Sequence, residues 1–244
     1  MAHDIYLFYG LLLLVAFLYA SVGHGGASGY LALMAIFSIA PNVMKPTALL
    51  LNLFVSATSF IQFYRGNHFK WKLFTPFSIA SIPMAFVGGL VMVDGSIYKK
   101  MLGGFLLLAA IRFLIFPNFK VSEIKKSNVA LSLFIGAVIG LLSGMIGIGG
   151  GIILSPVLLL LKWTDQKQTA AISAAFIFVN SVAGLAGQLT KGIHFSVDML
   201  SYVAVAFAGG MLGAYFGAHR FKQTVLKNVL SIVLLFAAIK LLNI

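Results

Sequence analysis

The residues with most to offer a ligand are glycines. Gly23-His24-Gly25-Gly26-Ala27 interrupts a long apolar run near the N-terminus, and Gly147-Ile148-Gly149-Gly150-Gly151 interrupts another 124 residues later. Glycine costs about 1 kcal/mol against alanine inside a helix. Clustered glycines in an apolar run therefore predict a broken helix with exposed backbone N–H groups. A short helix starting at such a break carries the positive end of its dipole and unpaired N–H groups, which together receive an anion without a charged side chain. The competing role is close helix packing of the small-xxx-small kind. Contiguous spacing and the short segment after each cluster favour binding for Gly23, Gly25, Gly26, Ala27, Gly147, Gly149, Gly150 and Gly151. Gly88-Gly89, Gly103-Gly104 and Gly209-Gly210 read as packing glycines. His24 has an unperturbed pKa of about 6.5. It suits substrate binding or proton coupling, and equally a neutral bond to a nearby carbonyl; the second cluster has Ile148 in its place.

The acids are informative by where they are missing. Asp4, Asp94, Glu123, Asp165 and Asp198 all fall near segment ends or in loops, whereas a cation carrier or proton relay usually needs a carboxylate at membrane depth. There is no HExxH pattern or histidine pair, and no cysteine. Paired-carboxylate, metal and thiol chemistry are thereby disfavoured, and we expect no catalytic role, no metal and no cofactor. Two segments carry polar stripes, one with Thr47, Asn52, Ser56, Thr58, Ser59 and Gln62, the other with Thr169, Ser173, Asn180, Ser181 and Gln188. Asn52, Ser56 and Ser59 share one helical face. Such faces complete an oxyanion cage or make interhelical hydrogen bonds; Asn52, Ser56 and Asn180 are taken as lining the site. Arg112 and Lys240, near segment ends, read as snorkelling side chains, and His68, His194, Trp71 and Trp163 as interfacial residues.

These groups must be held by membrane-spanning helices. Of 244 residues, 61% are hydrophobic and 9% charged, against roughly 25% charged in soluble domains. An all-α polytopic membrane protein is the class that fits. The net charge of +12 belongs to loops facing lipid headgroups; with no soluble surface to carry a basic patch, nucleic acid is not an expected partner. Apolar segments are expected from Ile5 to Val22, Pro46 to Tyr64, Leu73 to Val93, Lys100 to Phe116, Val129 to Ile146, Gln168 to Thr190, Val197 to Tyr215 and Leu226 to Leu242. Short pieces follow each break, at Ala27 to Ala40 and Ile152 to Leu161. Fourteen residues of helix reach about 21 Å, short of the roughly 30 Å hydrocarbon core. Each broken pair is therefore read as a hairpin that dips in and returns.

The chain divides into a first repeat (1–116), a linker (117–128) and a second repeat (129–244). Gln62 to Phe69 parallels Gln188 to Phe195, Ala85 to Gly89 parallels Ala206 to Gly210, and Ala109 to Arg112 parallels Ala237 to Lys240. If each hairpin returns to the side it entered, twelve basic residues fall on one side and five on the other; if each broken run is a single crossing, the division is nine against eight. The positive-inside rule selects the first arrangement. It predicts two inverted repeats with a cytoplasmic linker and both termini outside.

The duplicated break (Gly23-His24-Gly25-Gly26 and Gly147-Ile148-Gly149-Gly150-Gly151) resembles that of the sulfite exporter TauE/SafE family of anion permeases. So does the order that follows, from a short apolar piece through a Thr/Ala/Asn/Ser-bearing segment to Arg65-Gly66 and Lys191-Gly192. The resemblance implies transport of sulfite, an organosulfur anion such as sulfoacetate, or a related small anion across the bacterial cytoplasmic membrane. The expected protein is a secondary carrier, with a passive anion channel as the alternative. A homo-oligomer is left open.

Overall fold

The apolar runs fold as helices, because a backbone in lipid must satisfy its N–H and C=O groups within its own segment. The structure, a computed structural model, describes residues 2–21, 26–115, 123–193, 196–217 and 223–243. In these residues lie ten helices: α1 (Ala2–Ser21), α2 (Ala27–Ile36), α3 (Pro41–Arg65), α4 (Trp71–Leu90), α5 (Gly95–Ile115), α6 (Val129–Ile146), α7 (Gly151–Leu160), α8 (Gln166–Leu189), α9 (Val197–Gly217) and α10 (Gln223–Leu242). Four of them, α3, α4, α6 and α8, are long and apolar enough to cross a membrane. Large apolar side chains stand exposed along the bundle, Phe134 and Phe236 at 68% and Met92 at 80%. A water-facing surface rarely tolerates this and a lipid-facing one requires it. α3 begins five residues before the expected Pro46. Pro41 occupies its first position, where a missing N–H costs nothing.

Both short helices are ten residues long, and each returns to the end from which its partner set out. Lys125, ahead of α6, donates its N–H to the carbonyl of Lys162 beyond α7 at 2.8 Å. At the first hairpin the rings of Phe8 on α1 and Phe37 after α2 lie 5.2 Å apart. At the bend between α3 and α4, Phe60, Tyr64, Phe69, Trp71 and Phe74 form an aromatic cluster, with Trp71 56% exposed beside Lys70 and Lys72. That is the composition of a membrane interface. Trp163 differs from expectation: it is 7% exposed, its ring 6.2 Å from that of Phe77. The end of α7 reaches the surface, with Leu160 60% exposed and the Lys162 carbonyl bonded to Lys125, but the turn that follows folds Trp163 inward against the core.

Packing interleaves the two halves of the chain. α4 lies along α6, α1 along α9, α5 along α10 and α3 along α8. Glycine permits the closest of these approaches. Gly136, Gly140 and Gly144 repeat every fourth residue on α6 and face the backbone of Phe77, Ser81 and Ala85 on α4, while Gly209 and Gly213 on α9 face Leu13 and Phe17 on α1. Both pairs run in parallel, with small residues letting backbones meet as in membrane helix pairs. Gly88 and Gly89 also abut backbone, of α6 and α8, as packing glycines should; Gly104 packs against none of the described residues, with nothing within 4 Å. Two apolar cores result. One joins α1, α2, α5, α9, α10, the first half of α3 and, through Ile146 and Ile148, the end of α6 and the break after it; the other joins α4, the earlier part of α6, α7 and α8.

Candidate functional site

The second break is bent by glycine in the strict sense. Gly147, Gly149 and Gly150 have φ of +90°, +71° and +77°, a left-handed conformation costing other residues about 1–2 kcal/mol each. All five residues from Gly147 to Gly151 are buried. Gly150 caps α7 without any side-chain bond. Among the described residues, no group accepts a hydrogen bond from the N–H of Ile148, Gly149, Gly150, Gly151 or Ile152. The break thus presents a run of buried donors at the positive end of a helix.

Side chains from both polar-striped helices meet it. A Cβ placed on Gly149 would lie 2.9 Å from Asn52 Nδ2 on α3 and 3.2 Å from Ser181 Oγ on α8. Asn52 and Ser181 are fully buried, and among the described residues neither Asn52 Nδ2, Asn52 Oδ1 nor Ser181 Oγ has a hydrogen-bond partner. A buried unpaired polar group costs about 1–3 kcal/mol, so this many in one place are tolerated only where something polar completes them. Donors outnumber acceptors, and no acidic or basic side chain falls in the buried class among the described residues. The arrangement is complementary to a small oxyanion held by backbone and amide donors.

The other expected site residues fall in different places. Gly150 and Gly151 belong to the same break, wedged against Phe176 and Ile177. Asn180, fully buried one residue before Ser181, donates its amide to the Phe176 carbonyl at 2.8 Å and leaves Oδ1 unpaired. The hydroxyl of Ser56 is bonded to the Asn52 carbonyl at 2.5 Å, so it steadies α3. Of the first break, Gly23, His24 and Gly25 lie outside the described residues. Gly26 and Ala27 are buried, and a Cβ on Gly26 would meet the Tyr30 ring and its hydroxyl, the latter at 2.6 Å. Tyr30 is fully buried with its hydroxyl unpaired. Ile148, from the second break, shares the apolar core that holds α2.

Several contributors had no obvious signal in the sequence. Ser155 on α7 bonds Ser173 on α8 at 2.8 Å and the Gly151 carbonyl at 2.7 Å, fixing the head of α7 against α8. Tyr19 and Ser28 bond at 2.8 Å across the first break. Lys240, expected to reach toward headgroups, instead donates Nζ to the Ile36 carbonyl at the end of α2 at 2.5 Å. Arg112 is half-buried and within electrostatic reach of Tyr19. His68 is half-buried at the α3–α4 bend, and His194 lies outside the described residues.

Comparison with known proteins agrees with this architecture. The family model "Sulfite exporter TauE/SafE" matches residues 8–241. The chain is 36% identical over 238 residues to "Probable membrane transporter protein y4hK" of Sinorhizobium fredii, covering 93% of this chain and 94% of that one. It is 32% identical over 162 residues to a probable membrane transporter protein of Methanocaldococcus jannaschii, covering 63% of this chain and 60% of the other. With "Probable membrane transporter protein YunE" of Bacillus subtilis it shares 24% over 226 residues, covering 84% and 82% respectively. No solved structure matches the chain. A helical bundle with lipid-facing surface, matched along nearly its whole length by one family of membrane transporters, places this protein in the TauE/SafE sulfite exporter family.

Proposed function

We propose that this chain is a secondary transporter of a small anion, sulfite or an organosulfur anion such as sulfoacetate, held at the second glycine break. The observation that carries the reading is the meeting of Asn52 Nδ2 and Ser181 Oγ at Gly149, where both side chains are fully buried and unpaired. Gly149, Gly150 and Gly151 supply backbone donors, Gly147 shapes the bend with its own N–H bonded to the Ser143 carbonyl, and Asn180 stands beside them. The first break, Gly23 to Ala27, contributes by the same logic as its repeat counterpart.

Interleaved packing supports two inverted repeats of five helices each, 1–116 and 129–244 joined by 117–128. Exchanging α1 to α5 with α6 to α10 turns the α4–α6 pair into α9–α1 and leaves α5–α10 and α3–α8 unchanged. With both hairpins returning, the more basic face, carrying Arg65, Lys125, Lys126 and Lys162, is the cytoplasmic one of a bacterial inner membrane, and both termini are outside. Transport proceeds by alternating access around the site. An anion leaving a negative-inside cell gains about 2.3 kcal/mol per charge per 100 mV, so export is the favoured direction.

The test is flux of radiolabelled sulfite into proteoliposomes holding the purified chain, alongside Asn52→Leu, which keeps the volume and removes both amide atoms. Saturable flux with counterflow in the native chain, lost in the variant, is the expected result. Unsaturable flux would make the protein a channel, and native flux through Asn52→Leu would remove the site from the break.

A further inference from the structure

A second polar cluster lies two helical turns from Gly149, at the end of the bundle where α3 begins and α8 finishes. A cavity of about 280 Å³ opens there, room for several water-sized volumes of about 30 Å³ each. Lys45, Gln188 and Lys191 line it together with Gly89, Val91 and Met145. Gln188 is 1% exposed, and neither of its amide atoms has a hydrogen-bond partner. Lys45 is half-buried, its Nζ making a long 3.4 Å contact to the Val91 carbonyl. The cavity wall includes Tyr98, whose hydroxyl is bonded to the Ile146 carbonyl at 2.9 Å. A Cβ on Gly147 would lie 3.0 Å from the Lys45 carbonyl, so Lys45 rests directly on the outer shoulder of the break.

The register ties this cluster to the first. Lys45 precedes Asn52 by seven residues on α3, and Gln188 follows Ser181 by seven on α8. Seven residues are two turns, about 10 Å along the helix and back on the same face. Both helices therefore carry a donor at the break and another at the mouth, with the mouth adding positive charge. Resting on the reading of Gly149 as an anion site, we propose that Lys45, Gln188 and Lys191 form a second, staging site for the same small oxyanion, on the less basic face of the protein. An ammonium and an unpaired amide beside a low-dielectric wall concentrate anions at the mouth before they reach the uncharged break. The repeat matches of Gln188 and Lys45, which are Gln62 and Lys167, are both exposed. The staging site is thus one-sided.

The experiment is sulfite flux measured separately from each face of proteoliposomes, with sidedness fixed by blocking a single engineered cysteine. Lys45→Gln and Gln188→Leu should raise the half-saturating sulfite concentration from the Lys45 face, roughly three- to tenfold for the lysine, an effect that shrinks in high salt as screening removes it. From the opposite face it should stay within about twofold, and Lys45→Arg should restore the native value. Equal change from both faces, no change from either, or a loss that Lys45→Arg shares would overturn the staging site. If that happens while Gly149→Ala still abolishes flux, the break remains the transport site and only the vestibule falls. If the native chain carries no sulfite, both fall together.

Discussion

Replacing Gly149 with alanine separates a glycine kept for its backbone from one kept for its ligand. Its φ of +71° costs an alanine about 1–2 kcal/mol. The new methyl would also sit 2.7 Å from Ile177 Cγ2 and 2.9 Å from Asn52 Nδ2, overpacking worth about 1–3 kcal/mol. Gly192 is the matched control, with φ +77° and nothing within 4 Å of a built Cβ. It should lose about 1–2 kcal/mol, and the remaining loss at Gly149 measures the contact with the site. The decisive assay is thermal unfolding of each purified protein with and without sulfite. A ligand at a hundred times its Kd stabilises the native state by about 2.7 kcal/mol. The native chain and Gly192→Ala should both show that increment, and Gly149→Ala should show none because its methyl stands among the donors. Ser181→Ala, which removes a hydroxyl without strain, should reduce the increment while folding normally. An undiminished increment in both Gly149→Ala and Ser181→Ala would refute the argument and leave the break as a packing device.

Three further outcomes follow from other parts of the bundle. Gly104→Ala, in the interior of α5 with open space around it, should raise stability by up to about 1 kcal/mol in thermal unfolding; a fall would mean that a second copy covers that face. Lys240→Met removes the charged donor from the end of α2 and should lower stability by about 1–2 kcal/mol, with Lys240→Arg retaining most of it. The chain has no cysteine, so a membrane-impermeant maleimide should label Lys99→Cys in intact cells and Lys126→Cys only after lysis; the reverse pattern would invert the topology.

Most of the helical plan was legible because lipid leaves the backbone few alternatives. Runs of apolar residues gave the long helices to within a few residues, and the glycine clusters located α2 and α7. The polar stripe on α3 pointed to Asn52 because period and burial agree there. Trp163 was misread because an aromatic at a segment end can turn inward as well as outward: α7 reaches the surface at Leu160, and the turn at Lys162, with φ of +57°, is followed by Trp163 in the core. The partner of each helix was harder. Gly136, Gly140 and Gly144 spell a close-packing face in the sequence, yet nothing in their spacing says that α4 rather than another helix lies against it. Gln188 reads as one more residue of a stripe, and only the end of α3 folding beside it turns it into the wall of a cavity. The role of Lys240 likewise depends on α10 finishing next to α2.

The packing also decides what can move. The halves of the sequence are not mechanical units, since α1 meets α9 and α4 meets α6 backbone to backbone at glycines, and separating either pair would break tight contacts along its length. The two apolar cores cut across the halves instead. One holds α1, α2, α5, α9, α10, the first half of α3 and, through Ile146 and Ile148, the end of α6; the other holds α4, the rest of α6, α7 and α8. Asn52 and Lys45 stand on α3 and Ser181 and Gln188 on α8, with Gly149 between Asn52 and Ser181 where the two cores meet. Both polar clusters therefore lie at the seam between α3 and α8, where the proposed alternating access would open and close them. Under the proposed alternating access, an anion completing the unpaired groups at Gly149 would favour the state in which Asn52 and Ser181 are closest. Because the vestibule and the break share α3 and α8, that closure would also draw Lys45 toward Gln188. On this proposal, charge at the mouth and donors at the break would act as two stations along one seam, the first attracting by its field and the second holding by its geometry.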